Sequence, residues 1–405
     1  MRIPNHNFLT SLYQILFIFF IISTLFDPMD KLFGLKTYLF ILCMAYGCLY
    51  YLTHPNRLKI PFKLIIYVCL YLFIPLFSIT YYYFTNGLTP YAGFLLLKSY
   101  LFITFAILLY ITKVDVFRYL SIGLSLLSCM IIFVALLVTI FPELFFPLYL
   151  FGNNFGIFSI DPSRDYGAAG TYFQMYFVTS SMIVISIAYY FNEMMVSNSN
   201  KKLNLLLFLL GLTAMFLAGS RNNMLMALFL PSILLWTYSK NKTLLSIIYL
   251  VILIIGVFLI KDQAIALFNP EEASNFTKLM TLTDYVEIFH SNLNIFLFGD
   301  GLGSYREWTG RGYNFVTELT YFEIVRNYGI FIGSLLIFLI LYPVVYAFFL
   351  KPSYPYKHII WGYICYLIMS FTNPLFFSSM GVLILSAIMS SICTHDESLL
   401  IKKIK

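Results

Sequence analysis

The stretch TELTYFEIVRNYG, residues 317–329, places Glu318, Glu323 and Arg326 directly before GIFIGSLLIFLILYPVVYAFFL, an apolar run long enough to cross a bilayer. Carboxylates of this kind transfer protons, and an arginine grips a phosphate or carboxylate through two parallel N–H bonds. Glu323 and Arg326 are three residues apart, so in a helix they can also pair with each other on one face. Other charges stand in similar places. DPSRDYGAAGTYFQ carries Asp161, Arg164 and Asp165, and FHSNLNIFLFGDGLGSYREWTGRGYNFVTE carries His290, Asp300, Arg306, Glu307, Arg311 and Glu318. Lys98 lies about two turns into the apolar run YAGFLLLKSYLFITF, where a lysine costs roughly 2.5 to 3.5 kcal/mol on insertion scales. It either snorkels to the headgroups or faces an internal cavity and an anion. Arg221, in FLAGSRNNMLMALF, occupies a sharp turn that holds its side chain at a fixed depth; the alternative is a solvated hairpin charge.

Several chemistries lack their motifs. There is no G-x-x-x-x-G-K-[ST] for a nucleoside triphosphate and no D-x-D pair to grip a metal and a nucleotide sugar. Nothing in the chain points to nucleic acid. GDGLGS reads as a glycine-rich turn rather than a phosphate cradle. The six cysteines, Cys43, Cys48, Cys69, Cys129, Cys365 and Cys393, have no metal-ligand spacing and read as buried small hydrophobes. YYYF, residues 81–84, suits a membrane-interface belt, whereas Tyr305, Trp308 and Tyr313 fall in a loop, where they either stack on a sugar or pack the loop onto the helices.

The elements that position these groups are membrane helices. The chain is 60% hydrophobic and 11% charged, and its apolar runs predict an all-α polytopic membrane protein of about twelve transmembrane helices. The expected spans are 8–26, 37–53, 64–83, 92–111, 119–141, 171–191, 204–219, 223–239, 243–261, 329–350, 359–373 and 375–393. The first reads as a retained helix rather than a cleaved signal. The short connections on one side hold 15 of the 25 Lys and Arg residues, which places that side and both termini in the cytoplasm by the positive-inside rule. Two long connections, 142–170 and 262–316, fall on the other side, the larger between helices nine and ten. Long loops in a tightly threaded bundle usually carry function. The apolar pieces of the second predict short amphipathic helices on the membrane surface. Arginine is concentrated on this outer side, at Arg164, Arg221, Arg306, Arg311 and Arg326, and its fork suits bidentate anion binding.

This layout, with SRNNMLMA at a tight outer turn, LFGDGLGSY followed by TELTYFEIVRNYGIFIG, and TNPLFFSSMGVLILSAIMS near the end, resembles the O-antigen polymerases of the Wzx/Wzy pathway. These belong to the superfamily that also holds the O-antigen ligases. The resemblance covers most of the chain in layout, through short and degenerate motifs. It implies a GT-C-like glycosyltransferase of lipopolysaccharide or other surface-polysaccharide biosynthesis, in the bacterial inner membrane with its active site facing the periplasm. Such an enzyme moves a growing glycan from undecaprenyl diphosphate to the terminal sugar of an incoming lipid-linked repeat unit, with no metal, nucleotide or other cofactor. It works beside a flippase and a chain-length regulator. By the same resemblance the family's basic residues map to Lys98, Arg164 and Arg221; Arg306, Arg311 and Tyr313 of the large loop are candidate further contacts to diphosphate or glycan on their residue types alone. Where ligases of the superfamily typically carry a His-Asn pair, this chain has Thr317-Glu318. That makes Glu318 the candidate base and favours polymerase over ligase; the alternative is a structural role, capping its helix or pairing with Arg311.

Two other classes compete with this reading. A flippase for lipid-linked oligosaccharides would also have about twelve helices and internal cations, but its halves are expected to show repeat symmetry, and none is visible. A metal-dependent GT-C enzyme would need acidic residues in the first outer loop, where Asp27 and Asp30 are the only candidates.

Overall fold

The computed structural model describes residues 6–53, 59–86, 91–161, 174–196, 200–238, 247, 251, 254, 273–373 and 376–404. In chain order the helices are α1 (His6–Phe26), α2 (Lys36–Thr53), α3 (Phe62–Asn86), α4 (Tyr91–Tyr100), α5 (Phe105–Thr112), α6 (Val116–Ile140), α7 (Phe145–Phe155), α8 (Ile183–Val196), α9 (Lys201–Leu217) and α10 (Arg221–Tyr238). They continue with α11 (Ala273–Ser291), α12 (Leu293–Phe298), α13 (Thr320–Val345), α14 (Lys357–Met369) and α15 (Ser379–Ile404). Two antiparallel hairpins complete the described residues: β1 (Phe158–Asp161) with β2 (Gln174–Phe177), and β3 (Arg306–Trp308) with β4 (Gly312–Asn314). The architecture is helical, and among the described residues five segments are long and apolar enough to cross a membrane: Phe62–Thr85, Tyr91–Thr112, Val116–Ile140, Thr320–Leu350 and Ser379–Leu399.

Most expected spans coincide with helices, and the departures have local causes. The span expected at 171–191 begins instead as strand β2, passes through a 3-10 turn at Ser180–Met182 and becomes α-helical only at Ile183. Side-chain hydrogen bonds from Thr179 to the Leu25 carbonyl (2.9 Å) and among Ser180, Ser181 and Asn223 hold the chain in that turn. The first long loop contains a helix, α7, which ends where Gly156 adopts φ +66°. The second contains the 19-residue α11, longer than the short helices expected. The tail expected after residue 393 is a helical continuation of α15. The span expected at 243–261 lies outside the described residues, apart from 247, 251 and 254.

The chain forms two compact units, each built from three separated stretches. The first comprises residues 1–43, 115–269 and 356–369, and the second 44–114, 270–355 and 370–405. In the first, α6, α8, α9, α10 and α14 pack together around buried Leu124, Ile131, Ile183, Ile187 and Ile360. The hairpin turn between α9 and α10 uses Gly219 at φ +65°, a conformation costly for a residue with a Cβ.

In the second unit α3, α4, α5 and α13 surround α15, whose apolar part is mostly buried. One end gathers four segments expected on the same side of a membrane. Asp396 pairs with Lys63 (2.9 Å) and accepts from the Tyr346 hydroxyl (2.5 Å). Glu397 lies 3.8 Å from Lys113 and accepts from the Tyr110 hydroxyl (3.1 Å), and the Tyr354 hydroxyl bonds Ser391 Oγ. Nineteen residues along α3 from Lys63, roughly 28 Å at the helical rise, Tyr82 belongs to the other end, where the loop described next is seated.

Candidate functional site

The loop of the second unit is organised by its glycines and by one buried ion pair. Although α13 runs on as one element, its backbone breaks at Gly329, whose φ of 70° and ψ of 169° is a conformation reserved for glycine. A Cβ there would lie 2.2 Å from the Leu297 carbonyl oxygen. Gly299, Gly301 and Gly303 of GDGLGS all have positive φ, and their hydrogens face, respectively, the Asn327–Gly329 backbone, Tyr82 and the Ala92–Gly93 backbone. The segment is therefore a turn, pressed against α3, α4 and the break in α13. Ser78 of α3 fastens it: its hydroxyl donates to the Asn327 carbonyl (2.8 Å) and accepts from Leu302 N–H (2.8 Å).

Glu323 and Arg326 pair as their spacing predicts, at 2.5 Å, and both are buried, Arg326 completely. A buried charge of each sign is tolerated only if the remaining polar atoms are also satisfied. Arg326 makes five hydrogen bonds: two to Glu323, two to Ser304 and one to the Phe315 carbonyl. Glu323 also accepts from the Tyr285 hydroxyl (2.5 Å), Thr317 Oγ1 (3.3 Å) and Asn327 Nδ2 (3.0 Å). Burial first, then the neighbouring Glu323 carboxylate, pushes the Tyr285 phenol well above its usual range, so it stays a proton donor.

Glu318 is paired with an arginine like Glu323, but unlike it reaches the surface. It lies two residues before α13 and does not cap it, because Leu319 is the N-cap and makes no side-chain bond. Its side chain is 35% exposed, with Arg311 Nη2 at 3.0 Å and Lys278 Nζ at 3.8 Å. Its neighbour Thr317 is 1% exposed and bonded to the Tyr285 hydroxyl (2.6 Å). Of the Thr317-Glu318 pair, the threonine is therefore consumed by the interior and the carboxylate is left at the rim.

The three loop aromatics separate in the same way. Trp308 is 1% exposed and packs on Tyr285 (4.8 Å between ring centroids) with the Arg326 guanidinium over it. Tyr305 and Tyr313 form an exposed stacked pair, 5.3 Å apart and 17° from parallel. Tyr313 sits opposite Glu307 in the β3–β4 hairpin. Arg306, on the other face of the hairpin, pairs with Asp300 at 2.8 Å.

Of the residues singled out in the sequence, the second unit thus brings Arg311 directly onto Glu318 and gathers Arg306 and Tyr313 on one hairpin. Lys98 lies in the last turn of α4, exposed and without an ion pair among the described residues. It is five residues, roughly 7.5 Å, along the helix from Gly93, where the turn is seated. In the first unit Arg221 is the first residue of α10, half-buried, and its helix is fastened by Asn223, whose amide bonds Ser180 (3.1 Å) and Ser181 (3.0 Å). Arg164 lies outside the described residues. Sequence reasoning passed over Lys278 as a partner of Glu318, and also Tyr285, Ser304 and Ser78. Ser78 alone carried a signal, as a polar residue within an apolar span.

Asp27 and Asp30, the acids that a metal-dependent enzyme would use, are occupied by backbone. Asp27 accepts from Lys31, Leu32 and Phe33 N–H at 2.8–3.1 Å. Asp30 caps α2 through Lys36 N–H (2.9 Å) and the Thr37 hydroxyl (2.8 Å). Burial raises the Asp27 carboxyl, but the three N–H bonds and the nearby Lys36 outweigh it, and the net displacement is below the usual carboxylate range. No protein-family model matches the chain, and no curated protein matches it.

Proposed function

We propose that the chain is an O-antigen or related surface-polysaccharide polymerase of the GT-C-like ligase and polymerase superfamily, acting at the periplasmic face of a bacterial inner membrane. The observation that carries the reading is Glu318: a carboxylate at the rim of the loop, neither buried nor capping, beside Arg311 and Lys278 and on the same loop as the exposed Tyr305–Tyr313 pair. In the proposed reaction a hydroxyl oxygen of the incoming repeat unit bonds to the anomeric carbon of the growing glycan. Its proton passes to Glu318, and the bond to undecaprenyl diphosphate breaks with both electrons leaving on the diphosphate. Because the donor arrives activated, the protein supplies only proton acceptance and cationic neutralisation of the leaving group, for which the resemblance offers Lys98 in the unit that holds Glu318. Tyr313 and its partner Tyr305 offer a face for a sugar ring, and Arg306 and Arg311 carry charge along the same loop.

The test is purified protein in liposomes with lipid-diphosphate-linked repeat units. A ladder of extended glycans, formed equally with a chelator present, is expected, whereas a flippase would give none. Glu318→Gln keeps size and hydrogen bonding but not proton acceptance, and is expected to lose roughly 10² to 10⁴ in rate while still binding the donor lipid. Long polymer made at the wild-type rate by that variant would overturn the assignment. Arg221→Lys is expected to fail nearly as badly as Arg221→Ala, because lysine keeps the charge but loses the fork, whereas Lys98→Arg is expected to stay active and Lys98→Met not.

A further inference from the structure

Glu318 is held from both sides by residues that never reach the rim. Three positions before it, the Phe315 carbonyl accepts from Arg326 Nη2 at 3.1 Å. Immediately before it, Thr317 Oγ1 bonds Tyr285 and Glu323, and immediately after it Leu319 is buried with Tyr285 and Trp308. The same guanidinium binds Ser304, Asp300 Oδ2 lies 3.7 Å from it, and the Asp300 N–H donates to the Arg326 carbonyl at 2.7 Å. One buried cluster therefore ties together α11, the glycine turn, the hairpin and the first turns of α13.

We infer that Tyr285, Glu323 and Arg326 are positioning residues for the rim carboxylate, fixing where Glu318 stands relative to Arg311 and Lys278 before any substrate arrives. The inference rests on Glu318 being the proton acceptor. Its physical basis is that a base displaced by about 1 Å loses on the order of 10²-fold in rate, so a small relaxation of residues 315–319 is felt in turnover. Arg326 is the strongest link and the poorest probe, since truncating it strands buried carbonyls and the Glu323 carboxylate. Tyr285→Phe is the milder test: the ring still packs on Trp308, Phe289 and Phe322, and a single O–H is removed.

The experiment has two arms. In the first, Tyr285→Phe is expected to accumulate normally, to lower kcat for glycan extension about tenfold with KM for the lipid-linked repeat within about twofold, and to cost nothing further in the Glu318→Gln background. Losses that multiply in the double variant, or an unchanged kcat, would overturn the inference, because a residue that only stabilises the fold acts independently of Glu318. In the second arm, Val316→Cys is labelled with a charged maleimide, the native cysteines being subtracted through the parent protein. Labelling several-fold faster with Tyr285→Phe supports the anchoring, and equal rates refute it whether or not any polymer forms. A wild-type protein that makes no polymer would instead bring down the functional reading.

Discussion

Replacing Glu323 by glutamine leaves the shape of the cluster intact and removes its negative charge. Oε1 accepts from Arg326 Nη2 and Asn327 Nδ2, and Oε2 from Arg326 Nε, Tyr285 and Thr317. Whichever way the new amide turns, its NH2 faces an Arg326 N–H, so a fully buried guanidinium loses both its counter-charge and one acceptor. Breaking a buried pair from one side costs about 3 to 5 kcal/mol. That corresponds to roughly a 10²- to 10⁴-fold rise in the local opening of the loop from the break in α13. Hydrogen exchange on the detergent-solubilised protein reads this directly. The Asp300 and Gly301 amides, which bond the Arg326 and Asn327 carbonyls, and the Glu323 amide, which bonds Leu319, are expected to exchange faster by that factor. Amides around Lys63 and Asp396 at the far end should not change. Equal protection of the loop in wild type and variant would refute the claim that this ion pair holds it down.

Gly329→Ala is expected to prevent accumulation of folded protein, because the added Cβ meets the Leu297 carbonyl at 2.2 Å and the backbone conformation itself costs about 1 to 3 kcal/mol for any other residue; normal yield and thermal midpoint would contradict this. Asp27→Asn is expected to lower stability by about 1 to 3 kcal/mol at neutral pH through weakened bonds to Lys31, Leu32 and Phe33. Since the folded carboxyl lies below its unfolded value, the charged form's contribution is present above about pH 4 and disappears as pH falls through the folded value, so wild-type and variant thermal midpoints should converge on acidification. Cysteines placed at 200 and 290 are expected to label from opposite faces of the membrane, and labelling from one face would overturn the topology.

What the sequence made legible was whatever depends on local patterning. Apolar runs located the helices because length and hydropathy alone decide which segments cross a bilayer. The Glu323–Arg326 spacing foretold their pairing, and residue 329, where the tenth span was expected to begin, is where α13 breaks. Burial was not legible. Nothing in TELTYFEIVRNYG says that Glu323 is enclosed and Glu318 is not, because the difference is made by Tyr285, Ser304 and Trp308, which arrive from 15 to 38 residues away. The strand start at Gln174 was missed for a related reason: MYFVTSS is apolar enough for a span, and its turn is set by Asn223 and the Leu25 carbonyl, both distant in sequence. Asp27 and Asp30 were too few to favour a metal-dependent enzyme, and the backbone N–H groups that engage them could not be seen in one dimension.

The place of α15 at the centre of the second unit also bears on how the protein is made. Its neighbours there, α3, α4, α5 and α13, are translated earlier, and the long stretch 115–269 that separates α5 from the rest of the unit belongs to the first. Until residues 379–404 leave the ribosome, those four helices wait in the membrane without the surface they enclose, and Lys63 and Lys113 wait without Asp396 and Glu397. Assembly of this unit therefore waits on the synthesis of α15, however early its other four helices enter the membrane.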